Sequence, residues 1–249
     1  MIKNFVFDLY GTLADISTNE QDDSFCKKMA LFYGRNNAPY ERTVWKREFD
    51  MCLEECKGIM LNNTDAYYDE EQGVYIEPSI DEVFKMLYMI KGIKADGALI
   101  KATAEVYRTM STNYIKLYPN VKNLLTALRE NGYKVYLLTN AQKSFTLPEL
   151  RYLGIHNMFE DIVISSEVGR RKPDIQMFDT LIKKNNLEPS ECIMVGNDYE
   201  SDIVGAENAG MQTCYVKSNL SPKEDERKEI KADMVVDTAN LFNIAKLFL

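Results

Sequence analysis

Two hydrophobic rhythms alternate along the chain. Ile2 and Phe5-Val6-Phe7 form a short apolar run, the pattern of a fully buried strand, and Asp8 ends it. Gly11 and Thr12 follow at once, so the chain turns there. From about Ser17 to Leu117 the apolar residues fall instead at helical intervals. Polar residues 18–23 precede Phe25, Met29 and Phe32, which share a helix face. Residues 40–57 place Val44, Phe49, Met51-Cys52-Leu53 and Cys56 on an amphipathic helix, with Gly58 near its end. Residues 62–72 are acidic and polar and read as a loop. Pro78-Ser79-Ile80-Asp81-Glu82 starts a helix that runs through Val83, Phe84, Leu87 and Ile90 to Gly92, and residues 96–118 read as another. This block predicts an all-α module of four or five helices.

At Tyr118-Pro119 the rhythm changes to alternation of strand and helix. A helix over 122–131 has Leu124, Leu125 and Leu128 on one face and stops at Gly132. A strand over 133–138 ends in Thr139-Asn140. A helix closes at Gly154, and the strand Ile162-Val163-Ile164 leads to Gly169-Arg170-Arg171-Lys172-Pro173-Asp174. A helix over 175–185 precedes the strand 192–195, which ends in Gly196-Asn197-Asp198. A helix from about 201 to 209, strands over 212–216 and 234–236, and a terminal helix over 241–249 complete the chain. Such alternation with short links predicts a parallel sheet covered on both faces. The first strand would join it, which makes the helical block an insertion: a core of residues 1–15 and 117–249, and a helical unit of residues 16–116.

Composition changes this picture little but narrows the partners. The 249 residues are 45% apolar and 27% charged, ordinary for a protein with a real core. The formal net charge of −8 disfavours nucleic acid and anionic membrane, both polyanions. An anionic small-molecule substrate would therefore need local positive charge. No apolar stretch reaches the ~20 residues of a membrane span, and no secretory leader is expected. The five Cys show no framework spacing. Cys52 and Cys56 share a helix face without a further Cys or His pair to complete a metal site, and reduced thiols point to the cytoplasm. The single His, His156, excludes any constellation that needs two, and its place after Gly154 reads as surface.

Candidate chemistry collects at the strand ends. In open α/β sheets ligands sit in the crevice beyond the carboxyl ends of the strands. An acid there costs solvation free energy unless something pairs with it; a helix or turn cap is the other use for Asp8. Four strand ends or following loops deliver Asp8, Thr139, Lys172, and Asp198 with Asp202. One nucleophilic carboxylate, one hydroxyl, one ammonium and an acidic pair form a coherent phosphoryl-transfer set. An aspartate can attack phosphorus, carboxylates can hold Mg²⁺, and a hydroxyl and an ammonium can hold the transferring oxygens.

Asp8-Leu-Tyr-Gly-Thr12, Leu138-Thr139-Asn140, Arg171-Lys172-Pro173-Asp174 and Gly196-Asn197-Asp198 with Asp202 resemble the four motifs of the haloacid dehalogenase-like hydrolase superfamily. The stretch from Asp202 to Met211 is similar too. The likeness covers residues 1–15 and about 117–245. It implies a Rossmann-like core with a helical cap inserted between the first two motifs. It also implies Asp8 as nucleophile, Thr139 as phosphate ligand, Lys172 as charge balance, and the backbone carbonyl of Tyr10 as a Mg²⁺ ligand. Asn140 joins Thr139 and Lys172 as the expected substrate-binding set. Asp198, with Asn197 as an amide-oxygen ligand, would complete the metal site, and Asp202 would stand near Lys172.

Two departures set the functional expectation. Phosphatases of the superfamily usually carry a second Asp two residues after the nucleophile, as general acid and base; Tyr10 stands there. A phenol of pKa about 10 is a poor proton shuttle at neutral pH. The haloacid dehalogenases themselves resemble the Asp-x-Tyr-Gly-Thr form, because a departing halide needs no proton. Those enzymes, however, do without Mg²⁺ and have a less acidic fourth motif, whereas Asp198 and Asp202 are both present here. A Mg²⁺-dependent phosphatase acting through an aspartyl-phosphate is thus expected. A metal-free 2-haloacid dehalogenase and a weakly active phosphate- or partner-binding domain are the alternatives. Arg35, Arg42 and Arg47 are the arginines a dehalogenase reading would draw on, and Tyr67, Tyr68 and Tyr75 could face the site.

Overall fold

A computed structural model describes residues 1–62, 75–227 and 229–248. Its centre is a six-stranded, all-parallel sheet. In chain order the strands are β1 (Asn4–Phe7), β4 (Lys134–Thr139), β5 (Asp161–Ile164), β6 (Cys192–Gly196), β7 (Gln212–Lys217) and β8 (Met234–Asp237), arranged β5-β4-β1-β6-β7-β8. Two further strands, β2 (Ala14–Thr18) and β3 (Thr112–Leu117), form a separate antiparallel ribbon. The order makes β1 the hub. The chain extends the sheet to one side through β4 and β5, then returns to the other side of β1 with β6. Phe7 pairs with Leu137 on one flank and Val195 on the other, which brings Asp8 between the ends of β4 and β6. This is the expected Rossmann-like α/β core, with its switch of direction at the place where open sheets bind ligands.

Alternation along the strands divides the core in two. Phe5 and Phe7 face one layer with Leu137, Val195 and Val216, covered by α5 (Val121–Glu130) and α10 (Phe242–Phe248). Val6 faces the other with Leu138, Val163 and Met194, covered by α8 (Ile175–Asn185). Both faces are buried, so these strands read as continuous apolar runs. The helix α6 (Lys143–Leu153), the turn α7 (Ser165–Val168), and a π-helical turn Tyr199–Val204 continuing into α9 (Gly205–Asn208) complete this layer structure.

The helical module consists of α1 (Asp23–Arg35), α2 (Arg42–Asn62), α3 (Ile80–Ile90) and α4 (Gly97–Ser111). Asp22, Ser79 and Asp96 cap α1, α3 and α4 by accepting backbone N–H bonds. The helices close over an aromatic core of Phe25, Tyr33, Trp45, Phe49, Phe84, Tyr88 and Tyr107. Tyr33 stacks on Tyr88 at 4.5 Å between centroids. None of the described helices is long and apolar enough to cross a membrane.

Three details correct the reading of the sequence. The helix expected over 96–118 ends at Ser111; Thr112 turns extended, and residues 112–117 pair with 14–18. Thr112, Tyr114 and Ile115 are β-formers whose side chains a ribbon accommodates better than a helix. The helix expected over 40–57 continues through Gly58 to Asn62. Of the polar loop expected over 62–72, all but Asn62 lies outside the described residues, as do Tyr67 and Tyr68.

The module is fixed to the core at several points. At the root of the ribbon, buried Asp15 accepts hydrogen bonds from Asn219 and Tyr114 and pairs with Lys116 at 3.3 Å. Burial alone would raise its pKa, yet these partners hold it below the usual carboxylate value. On the far side, the main chain of Tyr75 accepts from Arg171 N–H at 2.8 Å, and Glu77 N–H donates to Gly169 at 3.1 Å. Gln142 of the core donates to Glu77 and to the carbonyl of Pro78, and accepts from the N–H of Ile80. Phe145, on α6, stacks on Tyr107 of the module at 5.7 Å.

Candidate active site

The turn after β1 is built around backbone economy. The carbonyl of Leu9 accepts from the N–H groups of Thr12, Leu13 and Ala14, and Gly11 N–H donates to Ala14 at 2.8 Å. Gly11 holds φ +89°, and a Cβ there would overlap the Asn197 amide. Thr12 Oγ1 donates to Asn197 Oδ1 at 3.1 Å. The loops after β1 and β6 therefore interlock, and Asp8 is held between them by its N–H bond to Val195 O, 2.9 Å.

Lys172 lies at the centre. Its ammonium donates to Asp8 Oδ1 at 2.9 Å, to the carbonyl of Leu138 at 2.8 Å and to Asp202 Oδ1 at 2.6 Å. Those three acceptors engage all three of its hydrogens. Burial would lower the pKa of such an amine, but Asp202 and Asp8 outweigh it and raise it above the ordinary lysine value. Burial pushes the Asp202 carboxyl upward, opposed by Lys172 and reinforced by Asp8. Asp202 also accepts from Asp198 N–H at 3.0 Å. A side chain at Gly196 would overlap that carboxylate, so glycine leaves it room.

Asp8 is thus paired with the ammonium rather than capping a helix. Among the described residues, no donor reaches its second oxygen. Thr139, at the end of β4, is fully buried, and its hydroxyl has no hydrogen-bond partner. An orphaned buried hydroxyl beside a carboxylate–ammonium pair is a ready donor for an anion. Asn140, expected as a substrate ligand, is bonded in the structure to the backbone of Lys172. Its amide accepts from Lys172 N–H at 2.7 Å and donates to Lys172 O at 3.0 Å. Both ends of that amide hold the backbone of Lys172, so it positions the ammonium.

Among the described residues no three His, Cys, Asp or Glu side chains converge as metal ligands. The donor set fits Mg²⁺ all the same, because this ion takes one or two carboxylates and keeps several waters. Asp8 and half-buried Asp198 would supply the carboxylates, and the carbonyl of Tyr10 and the amide of Asn197 would supply neutral oxygens. Asp198 also has the helix-cap role, accepting from Ser201 N–H at 3.0 Å.

Tyr10 is turned toward α6 of the core, beside Arg108 of the helical module. Its hydroxyl donates to Glu149 Oε2 at 2.5 Å and lies 3.3 Å from Thr146 Oγ1. Glu149 in turn accepts from Arg108 Nε at 2.5 Å and Nη2 at 3.3 Å, and the guanidinium sits 5.6 Å from the Tyr10 ring centroid. Burial, then the Glu149 charge, raises the phenol pKa well above its ordinary value.

The sequence did not single out Glu149 or Arg108. The available signal was a Glu on the apolar face of α6, beside Thr146 and Leu150, buried in the fold. The three arginines that a dehalogenase reading would draw on have the ordinary surroundings of surface helices. Exposed Arg35 ends α1, Arg42 pairs with Asp23, and Arg47 pairs with Glu48. His156 sits between α6 and the start of β5, at the end of the sheet opposite the site, bonded to Asn157. Tyr75 reaches the site's border through its main chain.

The haloacid dehalogenase-like hydrolase family model matches residues 50–216, more than half of the chain. A glyceraldehyde 3-phosphate phosphatase of Methanothermobacter thermautotrophicus is 33% identical over 123 residues, covering 49% of this chain and 54% of the relative. The pyrimidine 5'-nucleotidase YjjG of Escherichia coli is 34% identical over 127 residues, 51% and 52% of the two chains. The chain spans about half the length of these curated relatives. The crystal structure of a phosphatase from Thermococcus onnurineus covers 99% of this chain and 98% of its own at a TM-score of 0.57 and 17% identity, a likeness of fold. With the motif residues converging at the head of a Rossmann-like sheet and the family match spanning three of the four motifs, this chain belongs to the haloacid dehalogenase-like hydrolases.

Proposed function

We propose that this chain is a phosphatase acting on a small phosphorylated, hence anionic, metabolite through an aspartyl-phosphate on Asp8. The observation that carries the reading is the buried ammonium of Lys172 bridging Asp8 and Asp202, with the unpartnered hydroxyl of Thr139 at the adjacent strand end. Asp8 attacks phosphorus with its unpaired oxygen, and the leaving group departs. Thr139 donates to a phosphoryl oxygen, and Lys172 keeps the nucleophile ionised and oriented. Water then attacks the same phosphorus, releasing orthophosphate and restoring the Asp8 carboxylate.

Mg²⁺ is the proposed cofactor. Asp8, Asp198, the Tyr10 carbonyl and the Asn197 amide would hold it, with Asp202 supporting Lys172. When bound, the ion supplies positive charge to the phosphoryl oxygens. The helical unit, residues 16–116, is proposed to act as a cap over the core of residues 1–15 and 117–249. Relatives named as phosphatases support the reaction class. The five buried free thiols support a cytoplasmic location.

Tyr10 occupies the expected acid/base position, but its hydroxyl bond to Glu149 supports a positioning role instead. The test is orthophosphate release from a panel of phosphorylated metabolites, and halide release from 2-haloacids, each with Mg²⁺ or EDTA. Mg²⁺-dependent phosphate release is expected. EDTA-resistant halide release would select the dehalogenase alternative.

A further inference from the structure

The surroundings of Asp8 restrict the kind of phosphate compound the site can cleave. When Asp8 attacks, the bond between phosphorus and the leaving oxygen breaks, and the electron pair stays on that oxygen. An alkyl ester then yields an alkoxide, which needs a proton as it departs. A mixed anhydride yields a carboxylate, and an aryl or enol ester a stabilised oxyanion; these leave without one. The proton inventory of the site therefore selects among substrates.

Among the described residues, the acidic hydrogens placed around Asp8 are already engaged. The hydroxyl hydrogen of Tyr10 is directed at Glu149 Oε2, 2.5 Å away, and Arg108 holds that carboxylate from the other side. The three hydrogens of Lys172 are on Asp8, Leu138 and Asp202. Both oxygens of Asp202 are occupied, one by the Lys172 ammonium and one by Asp198 N–H. Asp198 accepts from Ser201 N–H. The free hydroxyl of Thr139 is an alcohol, no stronger an acid than the alcohol that would leave. Among the described residues the site thus offers a nucleophile and anion donors, with its proton donors committed to structure.

We infer that the substrates of this site are phosphate compounds whose leaving group departs as a stable anion, acyl phosphates above all, and that simple alkyl phosphate monoesters are poor substrates. This rests on the phosphatase reading and names its substrate class. In the second step the attacking water gives its proton to a phosphoryl oxygen or to solvent, and the electron pair of the breaking phosphorus–Asp8 bond returns to the carboxylate.

The test is kcat/KM with Mg²⁺ for acetyl phosphate, a series of substituted phenyl phosphates, and glycerol 3-phosphate. A fall of about 10²-fold or more from the best leaving groups to glycerol 3-phosphate is expected, the contribution of missing acid catalysis. Within the phenyl series the rate should track leaving-group acidity. Tyr10→Asp, which restores a carboxyl at that position, should raise glycerol 3-phosphate cleavage selectively. Comparable kcat/KM across the wild-type series overturns the inference and leaves the phosphatase reading intact. Orthophosphate release from none of these compounds overturns the phosphatase reading itself.

Discussion

The Lys172 ammonium and the Asp202 carboxylate meet at 2.6 Å with 1% and 2% of their side chains exposed. Breaking such a pair by removing one partner leaves an uncompensated buried charge, at a cost of about 3–5 kcal/mol. Lys172→Ala is therefore expected to lose both activity and stability, read as a lower urea midpoint. Adding Asp202→Asn should recover part of the stability and none of the activity. Full stability in the single variant would show that the charges are hydrated in solution.

Asn140 offers a cleaner separation of position from charge. Its two bonds hold the backbone of Lys172. Asn140→Ala should lower kcat by about 10-fold or more, corresponding to the ~1–2 kcal/mol of two neutral hydrogen bonds, with little change in KM. A rise in KM at constant kcat would instead restore Asn140 to substrate binding.

Glu149 joins three parts of the molecule: the turn carrying Tyr10, helix α6 and, through Arg108, helix α4. Glu149→Gln keeps the shape and removes the charge facing Arg108. A loss of about 1–3 kcal/mol is expected from the weakened buried interaction. The same substitution combined with Arg108→Met should cost less than the sum of the two. Additive costs would mean that the ion pair contributes no coupling.

Glycine at position 196 is required by proximity. A methyl group there meets the Asp202 carboxylate, so Gly196→Ala should destabilise the fold by about 1–3 kcal/mol through overpacking and displace the partner of Lys172. Denaturant unfolding and phosphatase assays on one preparation would measure both effects.

The thiols supply a prediction independent of catalysis. Burial pushes Cys52 and Cys192 up to about 11 and Cys214 to about 12. Raised values keep them protonated at pH 8, and the thiolate is the reactive form. Native protein should therefore resist alkylation at these three positions at pH 8, and urea-unfolded protein should react at all five cysteines. Fast native labelling of Cys214 would contradict its burial.

Strand ends were the most legible part of the sequence, because a buried parallel strand is a continuous apolar run and the polar residue that ends it stands out. Asp8, Thr139 and, just past β6, Asp198 were read in that way. The ribbon of residues 112–117 was not, because its pattern follows α4 without a breaker, and its pairing partner lies about a hundred residues earlier. Glu149 and Arg108 were hidden for another reason. Each sits on an amphipathic helix whose charged residues normally face solvent, and only the approach of two helices turns them inward. The bonds of Asn140 to the backbone of Lys172 were not legible, since local sequence does not tell whether an amide faces a ligand or a neighbouring backbone.

The main-chain bond from Arg171 to Tyr75 ties the helical unit to the loop that carries Lys172. Arg171 adjoins Lys172, so this contact with the helical unit reaches within one residue of the central ammonium. The backbone beside the central charge is thereby anchored from outside the sheet as well as from within it.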